Sequence, residues 1–267
     1  MARCGLIEHE QTSGGWIGIG YEMLDDAQVD QQRSENGEQS DPFMSLKHGG
    51  VEIYLVRHAD ALPDAAEIVR GGYDEQALSA LGRQQAEALA NRLRDVSLAA
   101  VYASPMGRAI QTAGPTAATH HLEIQSVDGL REVALGGLSA NSVSADTPAE
   151  VAALLRARLR EIATIAVSTG QWESIPGAEP SAHLRARLTA TMDRIIAAHR
   201  GERVMIVSHA GAINAYLAAL LGLAQDYFFP TANTSISVMR AQGPRRMIFS
   251  LNDIAHLAQA GLLPARE

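Results

Sequence analysis

Lysine is almost absent from this chain: of its 22 basic residues only Lys47 is a lysine, and it lies ahead of the first strong strand. A Gly-Lys-Ser/Thr phosphate loop and a core Schiff-base lysine are thereby excluded, which removes P-loop, pyridoxal phosphate and lysine-aldolase chemistry together. Cysteine is equally scarce. Cys4 stands alone, so no internal disulfide and no cysteine-based zinc site can form. Long hydrophobic runs are missing too: the best, Ala215 to Ala224, falls well short of the roughly 20 residues a spanning helix needs. The N-terminus lacks an apolar core of the signal-peptide kind and soon turns acidic, so the expectation is a cytoplasmic protein with no membrane partner.

Positive charge is also sparse where nucleic acid would need it. Residues 1–50 carry nine acidic and three basic side chains, a net of −6, while residues 51–267 carry twenty-one and nineteen, a net of −2. An almost neutral body without an arginine-rich run gives no electrostatic case for nucleic-acid binding. What the chain does have is length and apolar content: 267 residues, 46% hydrophobic, suit one full α/β core with an appendage.

The appendage is residues 1–49, acidic and expected to be partly disordered, most clearly over residues 26–42, which are polar and nearly free of branched apolar residues. The Trp16–Tyr21 segment reads as a short strand or docking segment, and Met44, followed by Ser45-Leu46-Lys47, reads as an alternative start. From Val51 onward, strands and helices alternate. Val51–Val56, Leu98–Ala103 and Arg203–Ser208 are β-rich apolar runs. Ala86, Leu89, Ala90 and Leu93 form a helical stripe after a Ser79 cap, and Leu184, Leu188, Ile195 and Ile196 form another before Gly201. This alternation predicts a three-layer α/β sandwich, a mostly parallel sheet flanked by helices over residues 50–255, with a tail at 256–267. Residues 139–178, helical around Pro148 to Ile165, are expected as an insertion over the site, where they would shape substrate access.

Two strand ends carry histidine: Leu55-Val56-Arg57-His58-Ala59 and Val207-Ser208-His209-Ala210-Gly211. In a parallel sheet, ligands sit beyond the carboxyl ends of strands, so both imidazoles can face one pocket. Ser104-Pro105-Met106-Gly107-Arg108 follows another strand and opens a helix, placing Arg108 where backbone N–H groups already favour an anion. Leu130-Arg131-Glu132 adds an acid in an expected loop. Two arginines and two histidines around one point suit a doubly charged oxyanion, most naturally a phosphoryl group. A neutral imidazole can attack phosphorus, and a carboxyl group can give and take the proton.

These pieces, with Leu-Ser-Ala-Leu-Gly-Arg-Gln-Gln-Ala at 78–86 and Ser-Pro-Met-Gly-Arg-Ala-Ile-Gln-Thr-Ala at 104–113, resemble the histidine phosphatase superfamily, also called phosphoglycerate mutase-like. The resemblance covers residues 50–255. It implies that His58 is the phosphorylated nucleophile, that Arg57, Arg108 and His209 bind the phosphoryl oxygens, that Glu132 is the acid and base, and that neither metal nor other cofactor is needed. The implied partner is a phosphorylated small molecule, although a phosphoprotein would present the same terminal group.

Departures from the family pattern steer the reading. Arg-His-Gly-Glu becomes Arg57-His58-Ala59-Asp60, and Asp64 stands where an asparagine often contacts phosphate. Val133, Ala134 and Leu135 replace aromatic and basic residues that grip a carboxylated sugar phosphate, and Leu138-Ser139-Ala140 replaces Trp-Glu-Gly. A phosphomonoester hydrolase is therefore expected ahead of a phosphoglycerate mutase-type phosphotransferase or a catalytically weak phospho-ligand-binding module. A Rossmann dinucleotide domain is disfavoured because no Gly-x-Gly-x-x-Gly follows the first strand. His120, His121, His183, His199 and His256 are read as solvated or structural. Glu179 is read first as helix-entry structure, with active-site support second, and Trp172, Phe228 and Phe229 as core or pocket lining.

Overall fold

The computed structural model describes residues 4–5, 22–23, 43–61, 77–135 and 147–263. The expected disorder at 26–42, the segment at 16–21, Asp64 and Leu138–Ala140 lie outside the described residues. The chain divides into Met1–Pro42 and Phe43–Glu267. Of the first unit the described part is an antiparallel pair, β1 (Cys4–Gly5) and β2 (Glu22–Met23).

The second unit is built on a sheet of β3 (Val51–Arg57), β4 (Ala100–Ala103), β5 (Ile124–Ser126), β6 (Arg203–Ser208), β7 (Ile236–Gln242) and β8 (Arg245–Asp253), in the order β5-β4-β6-β3-β7-β8. The first four in that order run parallel; β7 and β8 join antiparallel. The strand alternation sorts side chains between two helical layers. Ile53, Leu55, Val204 and Ile206 face α4 (Ser181–Ala198) and α5 (Ala210–Leu221), while Val56, Met205 and Val207 face α1 (Ala80–Leu93) and α2 (Gly107–Thr119). That is the expected three-layer sandwich.

Local chemistry explains the helix ends. The Ser79 hydroxyl accepts the Gly82 N–H at 3.0 Å and caps α1 as expected. Thr147 and Glu150 form a reciprocal capping box on α3 (Pro148–Thr169), which continues four residues past Ile165 to Gly170 in a left-handed C-cap. The C-terminal half of α3 is built into the core, with Ile162 and Ala166 buried beside Trp172 and Ile175. No helix among the described residues is long and apolar enough to cross a membrane.

Packing continues on either side of residues 50–255. Met44 is buried, and α6 (Ala255–Gln259) takes His256 and Leu257 into the interior, so the tail expected from residue 256 begins inside a packed helix. Apolar burial decides both boundaries: a five-residue helix shows too short a period to be read from sequence.

Candidate active site

Strand register brings the two histidines together. Arg57 pairs with Ser208 across β3 and β6, so the residues that follow, His58 and His209, emerge side by side at the carboxyl edge. Their ring centroids lie 5.0 Å apart. The His58 N–H donates to the Ser208 carbonyl at 2.9 Å, holding the two strand exits in step. On the far side of β6, β4 leads into α2, and Arg108 in its first turn donates through Nε to His58 Nε2 at 3.3 Å. Arg108 is 1% exposed and His209 0%, so a cation and an imidazole are held out of water beside the His58 ring.

The His58 tautomer follows from its neighbours. Nδ1 lies 2.7 Å from the Ala59 carbonyl, which only accepts, so Nδ1 carries the proton and Nε2 the lone pair. Burial, followed by the Arg108 and Arg57 charges, pushes the His58 pKa well below the usual imidazole value, outweighing the Ala59 bond. Burial and the nearby Arg108, His58 and Arg57 push His209 in the same direction. Its Nε2 meets the Ser104 hydroxyl at 2.8 Å, and its Nδ1 is buried without a partner among the described residues.

The backbone around His58 is held by a loop arriving from α5. The Arg57 guanidinium donates to the Thr231 carbonyl, Asn233 Nδ2 donates to the His58 carbonyl at 3.1 Å, and the Thr234 N–H donates to the Arg57 carbonyl at 3.0 Å. Thr234 sits at φ 52°, a strained setting for a β-branched residue that its surroundings enforce. Buried Asn214 positions this loop, accepting the N–H groups of Phe228 and Phe229, each at 3.1 Å, and donating to Thr231 Oγ1 at 2.8 Å. Phe228 and Phe229 are half-buried against the core, and Trp172 lies within it.

Glu132 reaches the same edge from the opposite layer. Its carboxylate caps α5, with Oε1 accepting from Ala212 at 2.9 Å and from Val133 at 3.0 Å, and Oε2 accepting from Gly211 at 3.1 Å. A carboxylate offers about four acceptor positions; three are filled, and the open one is on Oε2. The five sequence candidates, Arg57, His58, Arg108, Glu132 and His209, therefore meet around the carboxyl ends of β3 and β6 and the N-terminus of α5. Among the described residues no three His, Cys, Asp or Glu side chains gather as a metal ion would require.

Sequence reasoning missed the supports. Thr112 accepts the Ala59 N–H at 2.9 Å and donates to the Arg108 carbonyl at 2.7 Å, linking the turn after His58 to the arginine. Arg187 binds the loop of Glu132 together with Glu179, so Glu179 supports the site instead of merely opening a helix. No local signal marks the role of Arg187, because the carbonyls it binds lie more than fifty residues away, although Glu179 is only eight residues off.

Two expected results arise from this geometry. Unfolded imidazoles take up a proton near pH 6.5, whereas folded His58 and His209 stay neutral to lower pH. The unfolded chain thus binds more protons below about pH 6.5, and stability falls as pH drops toward the folded pKa values, by at most about 1.4 kcal/mol per pH unit for each ring. Urea unfolding at pH 7.5, 6.5 and 5.5 should show this decline, flattened in a His58→Gln, His209→Gln double variant; parallel profiles would contradict it. Separately, a Cβ on Gly211 would stand 2.6 Å from Glu132 Oε1 and 2.8 Å from the buried Trp172 ring. If Glu132 is the acid and base, Gly211→Ala is expected to dislodge its carboxylate and lower turnover about 10²-fold, the cost of a misplacement of about an ångström. Wild-type turnover in this variant would show that the carboxylate position is immaterial.

Known proteins match this chain in sequence and fold. The model for the histidine phosphatase superfamily (branch 1) matches residues 53–254. Probable phosphoglycerate mutase GpmB of Yersinia enterocolitica is 30% identical over 173 residues, covering 65% of this chain and 76% of that protein. Among solved structures, Bacillus stearothermophilus YhfR superposes with TM-score 0.60 at 25% identity, covering 78% of this chain and 99% of that one. A mycobacterial glucosyl-3-phosphoglycerate phosphatase superposes with TM-score 0.56 at 25% identity, covering 76% and 99%. With a six-stranded sheet of this topology and a family match over most of its length, the chain belongs to the histidine phosphatase superfamily, branch 1.

Proposed function

We propose that this protein hydrolyses phosphomonoesters of small molecules through a covalent phosphohistidine at His58, with no metal or organic cofactor. The observation that carries the reading is the His58 ring: neutral, with its proton fixed on Nδ1 by the Ala59 carbonyl, and its Nε2 lone pair facing the Arg108 guanidinium.

A phosphoryl group entering at Nε2 would take Arg108, Arg57 and His209 as donors to its equatorial oxygens, spreading the charge that builds in the transition state. Nε2 attacks phosphorus in line with the ester oxygen. As the N–P bond forms, the P–O bond to the leaving group breaks, and Glu132 Oε2 delivers a proton to the departing oxygen. Ala59, accepting from Nδ1, stabilises the positive charge that appears on the ring. In the second half Glu132 takes a proton from water, the water oxygen attacks phosphorus, the N–P bond breaks and inorganic phosphate leaves. Glu132 is then protonated again, so the cycle balances.

Hydrolysis is favoured over phosphate relocation by the stretch after Glu132. Val133 is buried, the Ala134 carbonyl is taken by the Glu179 N–H, and Leu135 bridges to Ala178. None of the three offers a cation to a substrate carboxylate. The second reading, a phosphoglycerate mutase-type phosphotransferase, draws on the GpmB relative. Turnover across a panel of phosphomonoesters, with labelled phosphate followed to its product, separates the two. Release of labelled inorganic phosphate in step with substrate loss, unchanged by EDTA, is the expected outcome. Label moving to a second hydroxyl of the substrate faster than to water would establish the mutase. Binding of phosphate analogues with background turnover on every substrate would leave only a phospho-ligand-binding module.

A further inference from the structure

The loop that bears Glu132 has its carbonyls bound from other elements. After the 3₁₀ turn Asp128–Leu130, residues 131–134 belong to neither helix nor strand, and backbone carbonyls in such a segment need partners from elsewhere. They find them in the α4 layer, including the backbone N–H of Glu179 ahead of that helix, and in β6. Arg187, in the middle of α4, uses all five of its N–H donors. Nε and Nη2 grip the Glu179 carboxylate at 2.7 and 2.8 Å, Nη1 donates to the carbonyls of Gly129 and Arg131 at 3.1 and 2.9 Å, and Nη2 donates to the carbonyl of Glu132 itself at 3.0 Å. Ser208, the residue before His209, donates to the Leu130 carbonyl at 2.9 Å, and the Glu179 N–H donates to the Ala134 carbonyl at 2.7 Å.

We infer that Arg187, charge-balanced by Glu179, is a positioning residue whose fork sets the backbone of Glu132 so that Oε2 faces the reacting oxygen. This rests on the reading of Glu132 as proton donor. The physical case is that convergent carbonyls repel one another unless a cation lies between them, and only a planar guanidinium reaches three carbonyls and a carboxylate at once. The Glu132 side chain is fixed from the other direction by the N-terminus of α5. Its carboxylate is therefore pinned at both ends. With the backbone end released, Oε2 would wander by the ångström or so that proton transfer does not tolerate.

The test uses leaving groups. An alkyl phosphomonoester needs a proton on its departing oxygen, whereas a 2,4-dinitrophenyl ester does not. In the full-length protein, single-turnover phosphorylation of His58 by the alkyl ester is expected to slow by about 10²-fold in Arg187→Lys, within the range of general acid catalysis. Phosphorylation by the dinitrophenyl ester should stay near the wild-type rate, and affinity for inorganic phosphate should be unchanged. A merely structural loss would slow both substrates together, and that result overturns the inference. Glu132→Gln is the reference: if it shows no leaving-group selectivity, the proton-donor reading fails; if it does and Arg187→Lys does not, the positioning role fails. Glu179→Gln, which removes the balancing charge but keeps one acceptor, should show the same selectivity to a smaller degree, and it carries the comparison if Arg187→Lys does not fold.

Discussion

His58→Ala is expected to lower phosphomonoester turnover by about 10⁴-fold or more, since removing the nucleophile of a covalent catalyst leaves only binding and charge stabilisation. The signature of the missing step is specific. Wild-type protein quenched after brief exposure to labelled substrate should carry acid-labile, base-stable phosphate, and the variant should carry none. Inorganic phosphate should still bind, because Arg57, Arg108 and His209 keep their supports in Thr231, Thr112 and Ser104. Label persisting in His58→Ala would place the nucleophile elsewhere. Burial, followed by the Arg108 and Arg57 charges, also prepares the ring for the role: it stays neutral without a base to deprotonate it.

Arg108→Met is expected to cost about 10³-fold in turnover, the lower end of what an arginine aimed at a transferring phosphoryl group contributes, while leaving the fold intact. Arg108 is the largest fully buried side chain among the described residues, and holding a cation there carries a desolvation penalty. Methionine fills similar volume without that penalty, so the ligand-free melting temperature should not fall. What should disappear is the stabilisation that inorganic phosphate confers on the wild type, which scales with the logarithm of ligand concentration over Kd. Arg108→Lys is not a rescue, because an ammonium lacks the fork that spans two phosphoryl oxygens. A variant with reduced melting temperature and retained phosphate stabilisation would make Arg108 a structural residue.

The candidate site's placement was legible in the sequence where chemistry is local. His58, Arg57 and Arg108 are within two residues of a strand end or helix start, and apolar runs with small-residue turns mark such places. His209 was legible for the same reason. Glu132 was readable as an acid in a loop, but not as the cap of α5, because a cap supplied from a residue 79 positions away in sequence leaves no trace beside the helix. Glu179 shows the limit most clearly. Its position before α4 suggested helix-entry structure, and only its pairing with Arg187 reveals that it supports the Glu132 loop. Met44 and the five-residue α6 pack into the body without a readable period, because a single methionine and one short helix are too brief to show one.

Apolar patterning by itself determined a three-layer α/β unit, and composition by itself removed lysine and cysteine chemistry. Both are sums over residue types or over near neighbours, so a single chain states them fully. Only the tertiary structure decided that Arg57 pairs with Ser208, which sets the two histidines 5.0 Å apart, that the Nε2 of His58 holds the lone pair, and that Glu132 is pinned between Arg187 and α5. Those depend on strand register and on side chains far apart in sequence, and a one-residue slip in register would have turned one imidazole to the other face of the sheet.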